Sequence, residues 1–291
     1  MLNILITIFG VLCLVVVWVI LYDSNRFVVV RNSVNSDKLR ESARAVVLAD
    51  LHNKRYGKNN ELLLKANEDC EPDFVLVAGD ILTAKPGASL EPAIKFMQIL
   101  AAKYPVYYGS GNHEHRLKLY PENYGDMSER YEKALSDAGV VRLVNNHVTL
   151  EEYGITIYGS EIDKRFYKRF KGSKMPEDYM RSILGQCDEG TYTVLLAHNP
   201  DYFSRYAAWG ADLVCSGHVH GGVARVPFWG KGMISPSLCL FPQFDGGVFR
   251  ERKSTMLLSR GLGMHTIPFR LFNPAELLFV EFQVEKEQDN R

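Results

Sequence analysis

Two histidine-bearing fragments, Asp50-x-His52 and Gly217-His218-x-His220, open and close a series of metal-type residues. Asp80, Asn112-His113 and His198 lie between them. Carboxylate, amide and imidazole donors in one set suit Mn²⁺, Fe²⁺ or Zn²⁺, and no cysteine accompanies them, which disfavours a thiolate zinc site. A hydrolase working with two cations about 3.5–4 Å apart needs a carboxylate to hold both, neutral imidazoles and further oxygen donors. Asp50, His52 and Asp80 supply one such set, and Asp80, Asn112 and His198 the other. A cation pair lowers the pKa of a water toward neutrality and clamps phosphoryl oxygens for in-line attack, so no Ser or Cys nucleophile is required. If the chain is extended across Asp50-x-His52 and His218-x-His220, residues i and i+2 point to the same side.

Single fragments of this kind are weak signals, and their positions give them weight. Each follows a short apolar run: 45–49 before Asp50, 74–79 before Asp80, 106–111 before Asn112, 192–197 before His198 and 213–217 at His218. Short Val- and Leu-rich runs bounded by Gly or polar residues predict strands. Open α/β sheets bind ligands at the carboxyl ends of their strands. Five strands would therefore deliver the candidate ligands to one rim. Helical periodicity appears at Leu90, Ile94, Met97 and Ala101, over 61–67 and over 129–138, and Pro200 suits the start of a helix running to Trp209. Residues 27–31 read as a first strand. Residues 141–144 and 148–151 read as a hairpin around Asn145-Asn146, followed by a strand at 155–158. The alternation predicts one α/β layered domain. The Gly-, Pro- and aromatic-rich stretch 223–272 is expected to form strands and long loops over one side of the site.

The 291-residue chain is long enough for a well-covered core, and its 34 basic and 34 acidic residues cancel, so no global field favours nucleic acid. Its 46% hydrophobic and 23% charged content is ordinary for a folded protein. The N-terminus is not ordinary. Ile4 to Leu21 is a run of 18 residues without a charge, close to what crosses a hydrocarbon core of roughly 30 Å. Trp18 and Tyr22 stand near one end, where interfacial aromatics belong. No basic n-region precedes the run and no small-x-small site follows it, which favours a retained single-pass anchor at 2–22 over a cleaved signal peptide. Arg26, Arg31, Lys38, Arg40 and Arg44 follow it, which favours a cytoplasmic catalytic domain, with the extracytoplasmic orientation as the alternative. Cys70, Cys187, Cys215 and Cys239 lack close spacing and read as reduced thiols, with pairing of the four as the alternative.

The fragments Asp50-x-His52, Gly79-Asp80, Gly111-Asn112-His113-Glu114, His198 and Gly217-His218-Val219-His220 together resemble the calcineurin-like metallophosphoesterases. The likeness covers roughly 45–222. The apolar N-terminus, Gly221-Gly222, Phe241-Pro242, Ser259-Arg260-Gly261-Leu262-Gly263 and Asn273-Pro274 are similar to a membrane-anchored bacterial branch. That branch includes phosphodiesterases and an enzyme that cleaves the pyrophosphate of UDP-diacylglucosamine. Val223 stands where a polar residue is expected in it. The resemblance implies a four-layer αββα sandwich preceded by one transmembrane helix. It implies that Asp50, His52, Asp80 and His220 hold one divalent ion, and that Asp80, Asn112, His198 and His218 hold the other. His113 would then contact the phosphoryl group and protonate or stabilise the leaving oxygen, and Glu114 would orient the loop.

Along the chain this gives an anchor at 2–22, a first strand and linker at 23–43, a catalytic domain at 44–284 and a polar tail at 285–291. Asn53, Arg55 and His115 follow metal fragments and are the candidates for substrate contact. Lys164, Arg165, Lys168, Arg169, Lys171 and Lys174, set around Phe166, Tyr167 and Phe170, read as a solvated basic loop or as a membrane-surface or phosphate-gathering patch near the mouth of the site. Phe228-Trp229, Phe241, Phe244 and Phe249 read as core packing or a lipid-facing lip. The expected activity is hydrolysis of a phosphodiester, phosphomonoester or pyrophosphate in a membrane-associated, lipid-linked substrate. The alternatives are the same chemistry on soluble phosphoesters or nucleotides, and an inactive scaffold, which the retention of every motif position disfavours.

Overall fold

The computed structural model describes residues 1–168, 173–235, 239–264 and 267–285. Its first element is α1 (Leu2–Ser24), an apolar helix exposed along most of its length, with Val19 and Asp23 buried against the body. It is long and apolar enough to cross a membrane.

The strands form two six-stranded sheets. The first contains β1 (Phe27–Ser36), β2 (Ala43–Leu48), β3 (Phe74–Val77), β4 (Val106–Gly109), β5 (Val141–Leu143) and, last in the chain, β12 (Ala275–Val284), in the order β1-β12-β2-β3-β4-β5. All neighbours are parallel except β12 and β2. The second contains β6 (Asn146–Leu150), β7 (Ile155–Ser160), β8 (Tyr192–Ala197), β9 (Leu213–Ser216), β10 (Gly247–Glu251) and β11 (Ser254–Leu258), in the order β10-β11-β9-β8-β7-β6. Its four central strands are parallel and its two edge strands pair antiparallel.

Alternation along the strands sorts side chains into three layers of core. Ala45 and Val47 of β2 face the second sheet and pack with Phe74, Leu76, Ile157, Val194, Leu213 and Leu257. Val46 and Leu48 face outward onto α2 (Glu61–Glu68), α3 (Glu91–Ala101) and α6 (Met127–Asp137), through Leu63, Ile94, Met97 and Leu135. On the far side, Leu195, Val214 and Met256 pack under α7 (Tyr179–Leu184) and α8 (Phe203–Trp209), through Met180, Phe203 and Tyr206. Helix, sheet, sheet, helix is the expected αββα sandwich. Strands buried on both faces explain why these segments read as continuous apolar runs rather than as alternating ones. Two short helices, α4 (Asn112–Leu119) and α5 (Pro121–Tyr124), connect β4 to α6.

One local expectation fails. Residues 141–151 do not form a hairpin, because β5 pairs with β4 in the first sheet while β6 pairs with β7 in the second. Asn145 sits at the crossing with φ 51°, and its side chain brackets Glu161, accepting from the Glu161 N–H and donating to the Glu161 carbonyl. The Asn-Asn pair is thus a turn that changes sheets. Pro200–Tyr202 forms a short 3₁₀ turn before α8, so that helix starts later than its proline.

The two sheets close on each other at the carboxyl ends of β3, β4, β8 and β9, where backbone has to approach backbone. Gly79 has φ 93°, and a Cβ there would run into Gly111 and come to 2.9 Å from His198 Nδ1. Gly79→Ala is expected to cost about 1–3 kcal/mol for the backbone conformation alone, with the clash added. That lowers the thermal unfolding midpoint by about 2–4 °C per kcal/mol. A midpoint equal to that of the parent protein would contradict this reading of the loop.

Candidate metal centre

Each candidate ligand stands just past the carboxyl end of a strand: Asp50 and His52 in the loop after β2, Asp80 after β3, Asn112 and His113 as the first residues of α4 after β4, His198 after β8, and His218 and His220 after β9. The Asp50–His52 and His218–His220 segments are not extended. Asp50, His52, Asp80, His218 and His220 all have φ between 48° and 75°. Left-handed backbone in non-glycine residues costs about 1–2 kcal/mol each, so the side chains converge because these loops coil tightly, not because alternate residues share one strand face. Two bonds show what holds the coil. The Asp50 N–H donates to Gly79 O (3.0 Å) and the His52 N–H to Asp80 O (3.1 Å), tying the first loop to the second.

The side chains form three overlapping groups able to hold cations: Asp50, His52 and His220; His52, Asp80 and His113; and Asp80, His198 and His218. Asp80 Oδ2 lies 3.1 Å from His198 Nε2, 3.8 Å from His52 Nε2 and 3.9 Å from His113 Nε2. Asp50 Oδ1 lies 3.5 Å from His220 Nε2 and 3.7 Å from both His52 Nε2 and His198 Nε2. The Nε2 atoms of His52 and His220 face each other at 3.2 Å. Burial is nearly complete, and burial raises the two carboxyl groups. The imidazoles around them outweigh that and hold both below the usual carboxylate range, His220 and His52 acting first on Asp50 and His198 and His113 on Asp80. Burial drives His218 down to about 4, helped by the neighbouring His198, and drives His220 down to about 3 against the pull of Asp50. Both therefore present neutral imidazoles, the form that binds metal. Asn112 Oδ1 and His220 Nδ1 are buried acceptor-capable atoms with no hydrogen-bond partner among the described residues. This donor set fits a pair of divalent cations.

Hydrogen bonds around the rings separate two kinds of histidine. His198 Nδ1 lies 2.7 Å from Ala78 O, so it carries a proton and donates it. Nε2 is then the atom that takes either a proton or a cation beside Asp80. Burial lowers this ring, but Asp80 and Asp50 push it up to about 10, so a proton and a cation compete for that nitrogen. His113 has the opposite arrangement. Its Nδ1 accepts the Ala84 N–H at 2.8 Å, so the proton of the neutral ring is on Nε2, facing the carboxylates. The neutral rings thus differ: Nε2 of His198 is free to accept, and Nε2 of His113 carries a proton.

Glu114 fixes the two loops that carry these groups. Its Oε2 accepts from the Asp80 and Gly111 N–H groups (2.9 Å each), and its Oε1 accepts from the Ile81 N–H (3.0 Å) and the Tyr108 hydroxyl (2.7 Å). The Asp80 carboxylate accepts the His113 N–H at 2.8 Å, and Asp50 accepts the His218 N–H at 2.9 Å. Several contributors have no site role assigned from the sequence, although Asn273 and Tyr167 stand in stretches noted there. Asn273 Nδ2 donates to His220 O at 2.8 Å. The buried Arg270 guanidinium donates to the carbonyls of Arg260, Gly261 and Gly263, bracing the segment that lies over Asp50. The Tyr167 ring stands 5.4 Å from His218, edge to face. An isolated Asn or Arg far along the chain carries no spacing that links it to the histidines.

The substrate-contact candidates separate. His115 lines a cavity of about 380 Å³ beside the cluster, together with Asn112, Arg116, Tyr120, Lys164, Tyr167 and Lys168. Asn53 turns its amide toward Ser89 O, and Arg55 is exposed. The basic-aromatic stretch is thus partly a wall of that cavity, although Phe166 is buried among Tyr179 and Tyr202. Arg169, Phe170 and Lys171 lie outside the described residues. Of the aromatic candidates downstream, Phe244 and Phe249 pack with Phe203, whereas Phe228, Trp229 and Phe241 are exposed. All five cysteines are free thiols.

Among relatives, the chain is 25% identical over 240 residues to the uncharacterized metallophosphoesterase YkuE of Bacillus subtilis, covering 80% of this chain and 76% of that one. It is 25% identical over 265 residues to the uncharacterized metallophosphoesterase Cj0846 of Campylobacter jejuni, covering 87% of this chain and 62% of that one. Among solved structures, the sulfate thiohydrolase SoxB of Thermus thermophilus superposes with a TM-score of 0.44 at 13% identity, over 83% of this chain and 56% of that one. The chain thus spans less than two thirds of the Campylobacter and Thermus proteins. Residues 43–222, more than half of the chain, match the calcineurin-like phosphoesterase family, and with its carboxylates and imidazoles gathered at the strand ends the chain belongs to that family of phosphoester hydrolases.

Proposed function

We propose that this protein is a dinuclear-metal phosphoesterase that acts on a membrane-associated, lipid-linked substrate from the cytoplasmic side of a single N-terminal anchor. The observation that carries the metal reading is the position of Asp80, whose Oδ2 is approached by imidazoles on both sides, His52 at 3.8 Å and His198 at 3.1 Å. Asp50, His52, Asp80 and His220 would hold one ion, and Asp80, Asn112, His198 and His218 the other. Two divalent cations, when bound, lower the pKa of a water and draw charge from the phosphoryl group. The chain's own groups do the rest. His113 presents Nε2–H toward the same space and donates it to a phosphoryl or leaving oxygen as charge develops there. Glu114 and the Ala84 N–H hold that ring and the Asp80 loop in register. Lys164, Lys168 and Arg116 line the adjoining cavity and supply positive charge for the remainder of an anionic substrate.

The membrane reading rests on α1 and on how it meets the body. Asp23 is buried and accepts the Asn273 N–H at 3.0 Å, and the Ser24 hydroxyl accepts the Arg270 N–H at 3.0 Å. Asn273 in turn holds the His220 carbonyl, so the end of the apolar helix and one candidate ligand share a partner. A site mounted so close to the helix meets lipid head groups at high effective concentration.

Asp80→Asn keeps a residue tolerant of the left-handed backbone, so the fold is expected to survive while bound metal falls below two ions per chain and hydrolysis drops by about 100-fold or more. Two tightly bound ions in an active variant, by elemental analysis, would contradict the shared role. His113→Ala should lose about 100-fold in kcat with metal content unchanged; loss of metal in step with activity would instead make His113 a ligand. Removal of residues 1–22 should leave turnover of a soluble aryl phosphoester nearly unchanged and lower turnover of a vesicle-embedded phospholipid by about tenfold or more. Equal loss, or none, on both substrates would favour soluble phosphoesters or nucleotides as substrate.

A further inference from the structure

Outside α1, and among the described residues, the exposed phenylalanine and tryptophan side chains all belong to the 228–272 stretch, whereas exposed aliphatic residues such as Leu62 and Val141 are scattered singly. Phe228 is fully exposed and Trp229 is 70% exposed, at the tip of a hairpin whose rungs are Arg225 with Gly232 and the Val226 N–H to Lys231 O (2.9 Å). Leu240 and Phe241, on the adjoining segment, are also exposed, and the Phe241 ring lies 6.1 Å from that of Trp229. The turn 227–230 contains no charged residue. Phe228 has φ 66°, a left-handed conformation uncommon for a bulky side chain and costly to keep. A strained backbone that holds an aromatic ring out into solvent gains nothing from the fold itself. Such an outlier points to function.

The position of this hairpin identifies what covers it. The Arg225 N–H donates to Leu271 O at 3.0 Å, and Ala224 bridges Leu271. Leu271 lies between Arg270 and Asn273, the two residues whose N–H groups bond Ser24 and Asp23 at the end of α1. The hairpin base is therefore about one strand spacing, ~4.8 Å, from the segment clamped to the apolar helix. Its tip is three residues further, at most about 11 Å. These distances are comparable to the polar layer on one side of a bilayer, roughly 5–8 Å. Tryptophan and phenylalanine are the residues that settle in that layer. Phe269 and Phe272, partly exposed on the clamped segment, continue the apolar surface toward α1.

We infer that the 226–232 hairpin, with Phe228 and Trp229 at its tip, is a second membrane contact that inserts into the head-group layer beside α1. It begins only a few residues after His220, so it would hold the mouth of the metal centre against the bilayer surface. This rests on the reading of α1 as a membrane helix.

The test uses the full chain reconstituted in phosphatidylcholine–phosphatidylglycerol vesicles whose acyl chains carry bromine at shallow or deep positions. One protein retains only Trp229 (Trp18→Phe, Trp209→Phe) and a second retains only Trp18 (Trp209→Phe, Trp229→Phe); hydrolysis of a soluble aryl phosphoester verifies folding of each. Both tryptophans should be quenched, Trp229 more by shallow than by deep bromine. Quenching of Trp18 with none of Trp229 overturns the inference and leaves the anchor standing, and a Trp229 signal that instead follows protein concentration assigns the tip to a second copy. Absence of quenching at Trp18 overturns the anchor, and the hairpin contact with it. In the otherwise unchanged chain, replacing Phe228 and Trp229 together with serine should lower turnover of a vesicle-embedded phospholipid by about tenfold, with the soluble ester unaffected. Unchanged turnover on vesicles overturns the role at the mouth.

Discussion

Two carboxylates, Asp50 and Asp80, are almost wholly removed from solvent at the junction of two sheets. A buried, ionised carboxylate is expensive unless charge and hydrogen bonds surround it. Here four imidazole nitrogens lie within 3.9 Å of one or the other carboxylate, and the His113 and His218 N–H groups donate to them. The rest of the site follows from that constraint. Loops must coil through left-handed conformations to aim the rings inward, glycine must stand where loops touch, and Glu114 must tie the β3 and β4 loops together. Five of the left-handed non-glycine residues are candidate ligands, so part of the backbone strain is located where the candidate ligands meet, as expected when a packed scaffold holds a preorganised centre.

Second in importance is the assignment of ring protons by backbone groups some distance from the reacting atoms. Ala78 O and Ala84 N give His198 and His113 opposite tautomers. Two histidines that look alike in sequence thereby differ in chemistry: the neutral ring of one leaves Nε2 free to accept and that of the other carries its proton there. Similar dependence extends outward through Asn273, which joins the His220 carbonyl to the end of α1, so the mounting of the apolar helix and the geometry of the centre are mechanically related.

Much of this was legible in the chain. Strands β2, β3, β4, β8 and β9 are announced by apolar runs, and the ligand candidates stand just past them because parallel strands buried on both faces leave chemistry only at their ends. The sandwich follows from the same runs. What sequence reasoning missed depended on long-range partners. Asn145-Asn146 has the local chemistry of a hairpin turn, and only the competition between two sheets for β5 and β6 decides otherwise. Asp50-x-His52 looked like an extended pair, yet the loop is coiled by bonds to Gly79 and Asp80, which lie far along the chain. Arg270 and Asn273 hold backbone carbonyls with their side chains and Ala84 holds His113 with its N–H, roles that residue type does not advertise, even where Asn273-Pro274 stands out as a motif. The aromatic residues of 228–249 divided by tertiary packing alone, with Phe244 and Phe249 finding Phe203 and Phe228 left exposed.

The central claim is that Asp80 is shared by two cations. Anomalous diffraction from crystals grown with Mn²⁺ addresses it directly, because each ion gives its own peak. The account predicts two peaks about 3.5–4 Å apart, both within bonding distance of the Asp80 carboxylate, with His113 outside both coordination shells. A single peak, or two peaks of which only one touches Asp80, would contradict it.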